Sequence, residues 1–225
     1  ENGKPSIVAS LERYAREKEA RGDAYLFLKE NGHDEDDINY WAGVEDLSEI
    51  KKHESQKHPS EEFEHDSFTV GHHQAHAANA FFSSNLSEAL ICTFDGGGLD
   101  NGEPTATTVW VGNDNKIQPL VYHGHGYNIG TMWTKACGIL GYSTGGKFGH
   151  AAGTVMALAC LGDSNRYYEE MSKNPFSFLD QRVWNTREEK DDKQAHYDLA
   201  AALQKLTEQA LKQMIQWGLE KYPTK

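Results

Sequence analysis

The chain has 225 residues, 38% of them hydrophobic and 11% aromatic, which excludes a disordered polypeptide. No run approaches about 18 apolar residues, so no membrane-spanning helix is expected. The 34 acidic against 22 basic residues give a net charge of −12, which argues against a broad nucleic-acid contact. That charge still allows one phosphorylated small molecule held by backbone N–H groups.

The first residues, Glu1-Asn2-Gly3-Lys4-Pro5, carry neither an initiator Met nor the apolar stretch of a signal peptide. Residues 5–31 have a helical pattern, with Leu11, Tyr14 and Ala15 on one face. Gly22-Asp23 restarts the chain, and Asp23 is placed to cap a second helix through Leu28. Residues 32–66 are rich in charge and poor in aliphatics. A helical piece is expected at Val44–His53 and an exposed loop from Glu54 to Asp66. The composition changes at Ser67, which divides the chain into a charged helical insertion or subdomain, 1–66, and an α/β core, 67–225.

In the second part, Ser67–Val70 reads as a short strand and the Ala-rich Gln74–Phe82 as a helix. Ala89–Phe94 is a continuous apolar run, as expected of a strand buried on both faces, ended by Asp95-Gly96-Gly97-Gly98. Ala106–Val111 and Lys116–Tyr122 form a hairpin around Asn113-Asp114-Asn115. Ile129–Leu140 and Gly153–Leu161 are apolar helices, and residues 162–195 read as a polar, aromatic surface excursion. Gln194–Tyr222 is a long amphipathic helix, with Leu199, Leu203, Leu206, Ala210, Met214 and Trp217 three or four apart. That stripe either closes the core or forms an interface, including one within a homodimer. The three cysteines form no CxxC pair, which fits a cytoplasmic protein; Cys92 and Cys160 lie in apolar runs and are expected to be buried.

The chemical signal is Gly71-His72-His73-Gln74-Ala75-His76-Ala77. In a helix starting near His72, His72 and His76 fall on one face and can offer two imidazoles to one metal ion, of a kind that suits zinc or iron. His73 then lies about 100° around the helix, available for acid–base or hydrogen-bonding work. The alternative is a set of ordinary surface histidines at a helix start. The small side chains of Ala75, Ala77, Ala78 and Ala80 favour close packing instead. A strand delivering Asp95 at its carboxyl end, where ligands of α/β sheets gather, completes a two-His, one-carboxylate set. Gly96, Gly97 and Gly98 either let backbone approach a phosphate or simply make a turn. Lys147, among the glycines at 138, 141, 145, 146, 149 and 153, either neutralises a phosphate or is solvated. Its surroundings lack the spacing and the Ser/Thr of a Walker A loop.

Three segments together resemble one family. His72–Ser84 is similar to an HHxxHAxxAFxxS motif, Leu90–Gly98 to a strand ending in DGxG, and Gly153–Gly162 to a GKVMGLAxxG segment with Thr154 in place of Lys. The family is the nodulation-type and antibiotic O-carbamoyltransferases, which share a fold with the tRNA threonylcarbamoyl transferases and hydrogenase-maturation carbamoyltransferases.

The resemblance implies part of an actin-like fold of the sugar kinase and heat-shock ATPase type, a mixed sheet with flanking helices. It implies Fe2+ or Zn2+ on His72, His76 and Asp95, and ATP phosphates near Gly96, Gly97 and Gly98. Lys147 is a further phosphate candidate. The implied reaction joins carbamoyl phosphate and ATP as carbamoyl-adenylate, then passes the carbamoyl group to a hydroxyl of a small molecule, with His73 as candidate base. The family's first strand, its adenosine-binding strand, a later aspartate ligand and its carboxyl-terminal domain have no counterpart here. The chain is therefore expected to be an internal piece acting with the remainder of its parent. Two alternatives are a metal- or partner-binding module inactive alone, and tRNA threonylcarbamoyl transfer, which the acidic charge disfavours.

Overall fold

The computed structural model describes residues 24–37, 40–44, 67–123, 128–142, 151–181 and 191–223. Among them is a short helix, α1 (Ala24–Glu30). Strands β1 (Trp41–Val44) and β2 (Ser67–Val70) pair in parallel, Trp41 opposite Ser67 and Val44 opposite Val70. Val44 therefore belongs to a strand rather than to the helix expected at Val44–His53; the rest of that stretch lies outside the described residues. The strand pair also joins a residue run from each side of the composition change at Ser67. From β2 the chain turns through Gly71 into α2 (His72–Phe82), two residues earlier than the Ala-rich run suggested.

Next comes an antiparallel sheet of order β3-β4-β5: β3 (Glu88–Asp100), β4 (Glu103–Asn113) and β5 (Lys116–His123). The fold is thus mixed α/β. β3 does not end at Asp95–Gly98 as expected but runs on to Asp100. The reversal lies at Asn101-Gly102, both with positive φ (55° and 77°), between the paired Asp100 and Glu103. An Asn-Gly pair is the preferred two-residue hairpin turn because both positions tolerate φ > 0. At the expected stop there is a bulge instead. Phe94 faces Thr107 and Gly98 faces Thr105, so the three residues 95–97 oppose Ala106 alone.

Pleat alternation sends the two faces of β3 to different neighbours. Ile91 packs with Ala77 and Phe81 of α2 and with Trp110. On the other face Phe94 meets the main core, and Leu90 lies against Gly218 of α7 (Lys193–Lys221). That core is built by α3 (Ile129–Ile139), α4 (Ala152–Leu158), α5 (Tyr168–Lys173), α6 (Pro175–Gln181) and the first half of α7. Residues 162–195 are therefore not simply a surface excursion: Met171 and Leu179 are buried. Cys160 is exposed and Cys92 half-buried, against expectation, whereas Cys137 is buried.

The stripe of α7 divides. Leu199 and Leu203 are fully buried, whereas Leu206, Ala210, Met214 and Trp217 further along are half-buried; Ile215 and Leu219, off the stripe, are exposed. No helix among the described residues is long and apolar enough to cross a membrane. Truncating Leu199 to Ala should cost about 2–5 kcal/mol of stability in urea unfolding. Leu219→Ala should stay within about 0.5 kcal/mol. Equal costs would mean that the core does not sit at the start of α7.

Candidate metal centre

α2 stands over the β3 bulge with His72 and His76 turned toward Asp95. His72 Nε2 lies 2.7 Å and His76 Nε2 3.3 Å from the same Asp95 Oδ2, and the two Nε2 atoms are 3.2 Å apart. These three are the group among the described residues whose ligand atoms converge within 4.8 Å. A tetrahedral ion with bonds of about 2.0–2.2 Å keeps nitrogen and oxygen ligands about 3.3–3.6 Å apart; two of the three pairs are close to that spacing and the His72–Asp95 pair would open by about 0.6 Å. If both Nε2 atoms carry protons to Asp95, two donors face each other at 3.2 Å; a cation takes all three lone pairs.

The trio is also accessible. The side chains of His72, Asp95 and His76 are 27%, 39% and 52% exposed, which leaves an open side for further ligands. Burial pushes the Asp95 carboxyl up, but hydrogen bonds from His72, the Gly96 N–H and His76 outweigh it and hold the carboxyl below its ordinary range.

The three glycines differ in role. Gly98 is buried under His72, and a Cβ there would come within 2.2 Å of the His72 ring. Gly97 has φ 143°, a conformation that side chains rarely adopt. Gly96 has open space beside it. Its carbonyl is held by Asn128 Nδ2 and, at 3.2 Å, by the Thr131 hydroxyl. Asn128 Oδ1 accepts from Thr131 N at 2.7 Å, so one side chain caps α3 and grips the bulge. Gly130 allows this approach, since a Cβ there would lie 2.4 Å from Gly96 N. Lys147, with Gly145, Gly146 and Gly149, lies outside the described residues.

His73 points inward and is fully buried, whereas the sequence suggested a ring free to act. Its Nδ1 lies 2.7 Å from Thr93 Oγ1, which lies 2.6 Å from Thr108 Oγ1, which accepts from the Trp110 indole N–H. An indole can only donate. The Thr108 proton then goes to Thr93 and the Thr93 proton to Nδ1, which is the one polarity that satisfies every hydroxyl of the row. His73 Nε2 has no hydrogen-bond partner among the described residues. Burial lowers the His73 pKa below the ordinary imidazole value; Asp100 and Asp95 oppose this, and His72 and His76 add to it.

Sequence reasoning named His72, His73, His76, Asp95, Gly96, Gly97, Gly98 and Lys147, and the structure brings together all of these but Lys147, which lies outside the described residues. It missed Thr93, Thr108, Asp100 and Asn128. The threonines carry a faint signal, as polar residues at buried strand positions of β3 and β4.

The fold and site define a mixed α/β protein with two histidines and one carboxylate on a helix and a bulged strand. Against this background the similarities are informative. No protein-family model matches the chain. It is 27% identical over 154 residues to the nodulation protein NolNO of Sinorhizobium fredii, covering 62% of this chain and 21% of that protein. It is 33% identical over 92 residues to the uncharacterized protein sll1178 of Synechocystis sp., covering 41% of this chain and 14% of that one. The chain thus spans about a fifth or less of the length of these curated relatives.

The pH dependence of stability should report on His73. Its pKa is lower folded than unfolded, near 6.5. The unfolded chain therefore binds more protons between the two values. The stabilisation is complete above about pH 6.5 and is lost as pH falls through the folded pKa. Asp95 acts in a separate window, losing its contribution only as the pH falls below about 4. Urea midpoints of the metal-free chain should fall between about pH 7 and 5. His73→Asn, whose amide oxygen can accept from Thr93, should flatten that slope; an unchanged slope would place the proton uptake elsewhere.

Proposed function

We propose that this chain carries the metal-binding part of an O-carbamoyltransferase of the nodulation type. The observation that carries the proposal is the convergence of His72, His76 and Asp95, residues of the two segments that resemble the family's HHxxHA and DGxG motifs, within metal-ligand distance. The similarity to NolNO supports carbamoyl transfer at the general level. The finer reading is transfer from carbamoyl phosphate, by way of a carbamoyl-adenylate made with ATP, to a hydroxyl of a small molecule. It places the site in an actin-like fold of which this chain is one part, and the activity in the larger protein.

His72, His76 and Asp95 would hold Fe2+ or Zn2+. When bound, such an ion polarises a carbonyl or phosphoryl oxygen and stabilises charge developing on it. The chain's own residues do the rest. Asp95 offers one oxygen to both histidines and anchors the other through the Gly96 N–H. The open side of the trio admits the reacting group. Gly96 is the exposed glycine of the bulge, and the open space beside it leaves room for a phosphate next to the trio. His73, buried behind the trio and tied by Nδ1, orders the ligand helix against β3.

The net charge of −12 favours a small acceptor over tRNA. The first test is metal uptake. At about 100 times its dissociation constant, Zn2+ or anaerobic Fe2+ should stabilise the chain by about 2.7 kcal/mol, raising Tm by about 5–10 °C. His76→Ala and Asp95→Asn should remove the effect. No shift in the unaltered chain would overturn the metal reading. With metal bound, ADP should raise Tm further; its failure to do so would remove the nucleotide from the reading while leaving the metal.

A further inference from the structure

The N-terminus of α2 has no N-cap side chain to hold its first-turn N–H groups; Gln74 Oε1 accepts only from Gly71 N, at 3.3 Å. The N-cap is Gly71, which has no side chain, yet the helix begins at a metal ligand, His72. The first-turn N–H groups go to a carboxylate on β3 instead. Asp100 Oδ2 accepts from His73 N at 3.1 Å, and Oδ1 accepts from Gln74 N at 2.9 Å. The Thr105 hydroxyl also donates to Oδ2. Asp100 is 3% exposed, so these charge-assisted bonds are made away from water, where they are strong and directional. Gly71 belongs to the same device: a Cβ there would lie 2.3 Å from Asp100 Oδ1, so only glycine lets the carboxylate reach the helix end.

One strand therefore addresses α2 twice. Asp95, on the bulge, faces the imidazoles at the first and fifth residues of the helix. Asp100, at the strand's end, grips the second and third N–H groups. Two oxygens on two successive N–H groups fix both the rotation of a helix and its height along the strand. A one-residue slip of α2 would turn each histidine by about 100° and carry both away from Asp95.

We propose that Asp100 is the positioning residue of this centre: its two-oxygen cap on His73 N and Gln74 N sets the rotation of α2 that brings His72 and His76 to Asp95. The proposal rests on the metal reading above. Asp100 touches no ligand atom of the trio; it acts through the helix.

The experiment is calorimetric titration of Zn2+ into the chain, with Tm of the metal-free protein measured alongside. Asp100→Asn, similar in shape but with an amide facing one of the N–H donors, should weaken Zn2+ about 10- to 100-fold. Gly71→Ala, which displaces the carboxylate by another route, should do the same. Combining the two should cost little more than either alone, because both break one contact. Ala80→Gly, on the exposed side of α2 with the cap intact, controls for a weaker helix and should lower Tm without the loss of affinity.

With Co2+ as probe, the visible spectrum of Asp100→Asn should depart from that of the unaltered chain. If Asp100→Asn does not fold, Gly71→Ala decides alone. Zn2+ affinity unchanged in the variants that fold, or lost equally in Ala80→Gly, overturns the positioning role. Absence of Zn2+ binding to the unaltered chain instead overturns the metal reading and the role with it.

Discussion

Three residues of β3 facing one of β4 is the constraint on which the rest of the site depends. A regular ladder would leave Asp95 as one more inward residue and pair its neighbours with the adjacent strand. Asp95 shares the α2 face of β3 with Ile91 and Thr93, and the bulge releases it from the ladder beside His72 and His76. A bulge also frees backbone groups that must find partners. Here the Gly96 carbonyl goes to Asn128 and Thr131, and the Gly96 N–H to the Asp95 side chain itself. The ligand, the bulge and the start of α3 thus hold one another. Gly98 restores the pairing, and the space it leaves is filled by the His72 ring.

Behind the trio lies a polar row that brings no charge of its own. Trp110, Thr108, Thr93 and His73 are buried and linked by hydrogen bonds. Burial favours the neutral form of His73, which matters because its ring centroid is 5.4 Å from that of His72 and 6.0 Å from that of His76. A second positive charge at that distance would repel a cation. With His73 neutral, the carboxylate of Asp95 attracts one unopposed by the ring behind it. Protonating His73 would also reverse the hydroxyl row and leave a buried Thr108 proton without an acceptor, a cost of about 1–3 kcal/mol.

Much of this could be read from the sequence because local rules govern it. The i, i+4 spacing of His72 and His76 places them on one face in any helix that starts at the right residue. An apolar run followed by Asp95 needs only the strand to be right. The hairpin at Asp114 and the period of α7 follow from turn chemistry and helical geometry in the same way. The miss at Asp95–Gly98 had a different origin. Asp95 and the three glycines suggest the end of the strand, although the stronger turn signal, Asn101-Gly102, lies a few residues on. Glycines also serve close approach and unusual φ within a strand, and only the φ of Gly97 and the three-dimensional neighbours of Gly98 tell those uses apart. Asp100 was illegible for a related reason. Nothing in its spacing from His73 announces a cap, because the contact forms only once β3 is laid beside α2. The helices within 162–195 were hidden by their shortness: six or seven residues hold too few periods to stand out among aromatic and polar neighbours.

The division of labour between the two sheet faces explains why the chemistry leans on polar anchors. On the α3 and α7 side, a broad cluster containing Trp133, Met171, Leu199 and Leu203 supplies burial enough to fix the helices by packing. On the α2 side the buried apolar set is Ala77, Phe81, Ile91 and Trp110. Two of those four touch the sheet from the second half of α2, so packing holds the end of the helix far from the trio better than the end that carries it. Dispersion forces are also poor at fixing rotation, since small apolar side chains tolerate sliding that a two-oxygen hydrogen bond does not. The ligand end is held instead by Asp100 across the first turn, by His73 on Thr93 and by the fit of His72 over Gly98. Each of these depends on direction or on contact at close range. A centre that must hold three ligand atoms to within a few tenths of an ångström gains more from such contacts than from a larger apolar face, which would also close the open side that the reacting group needs.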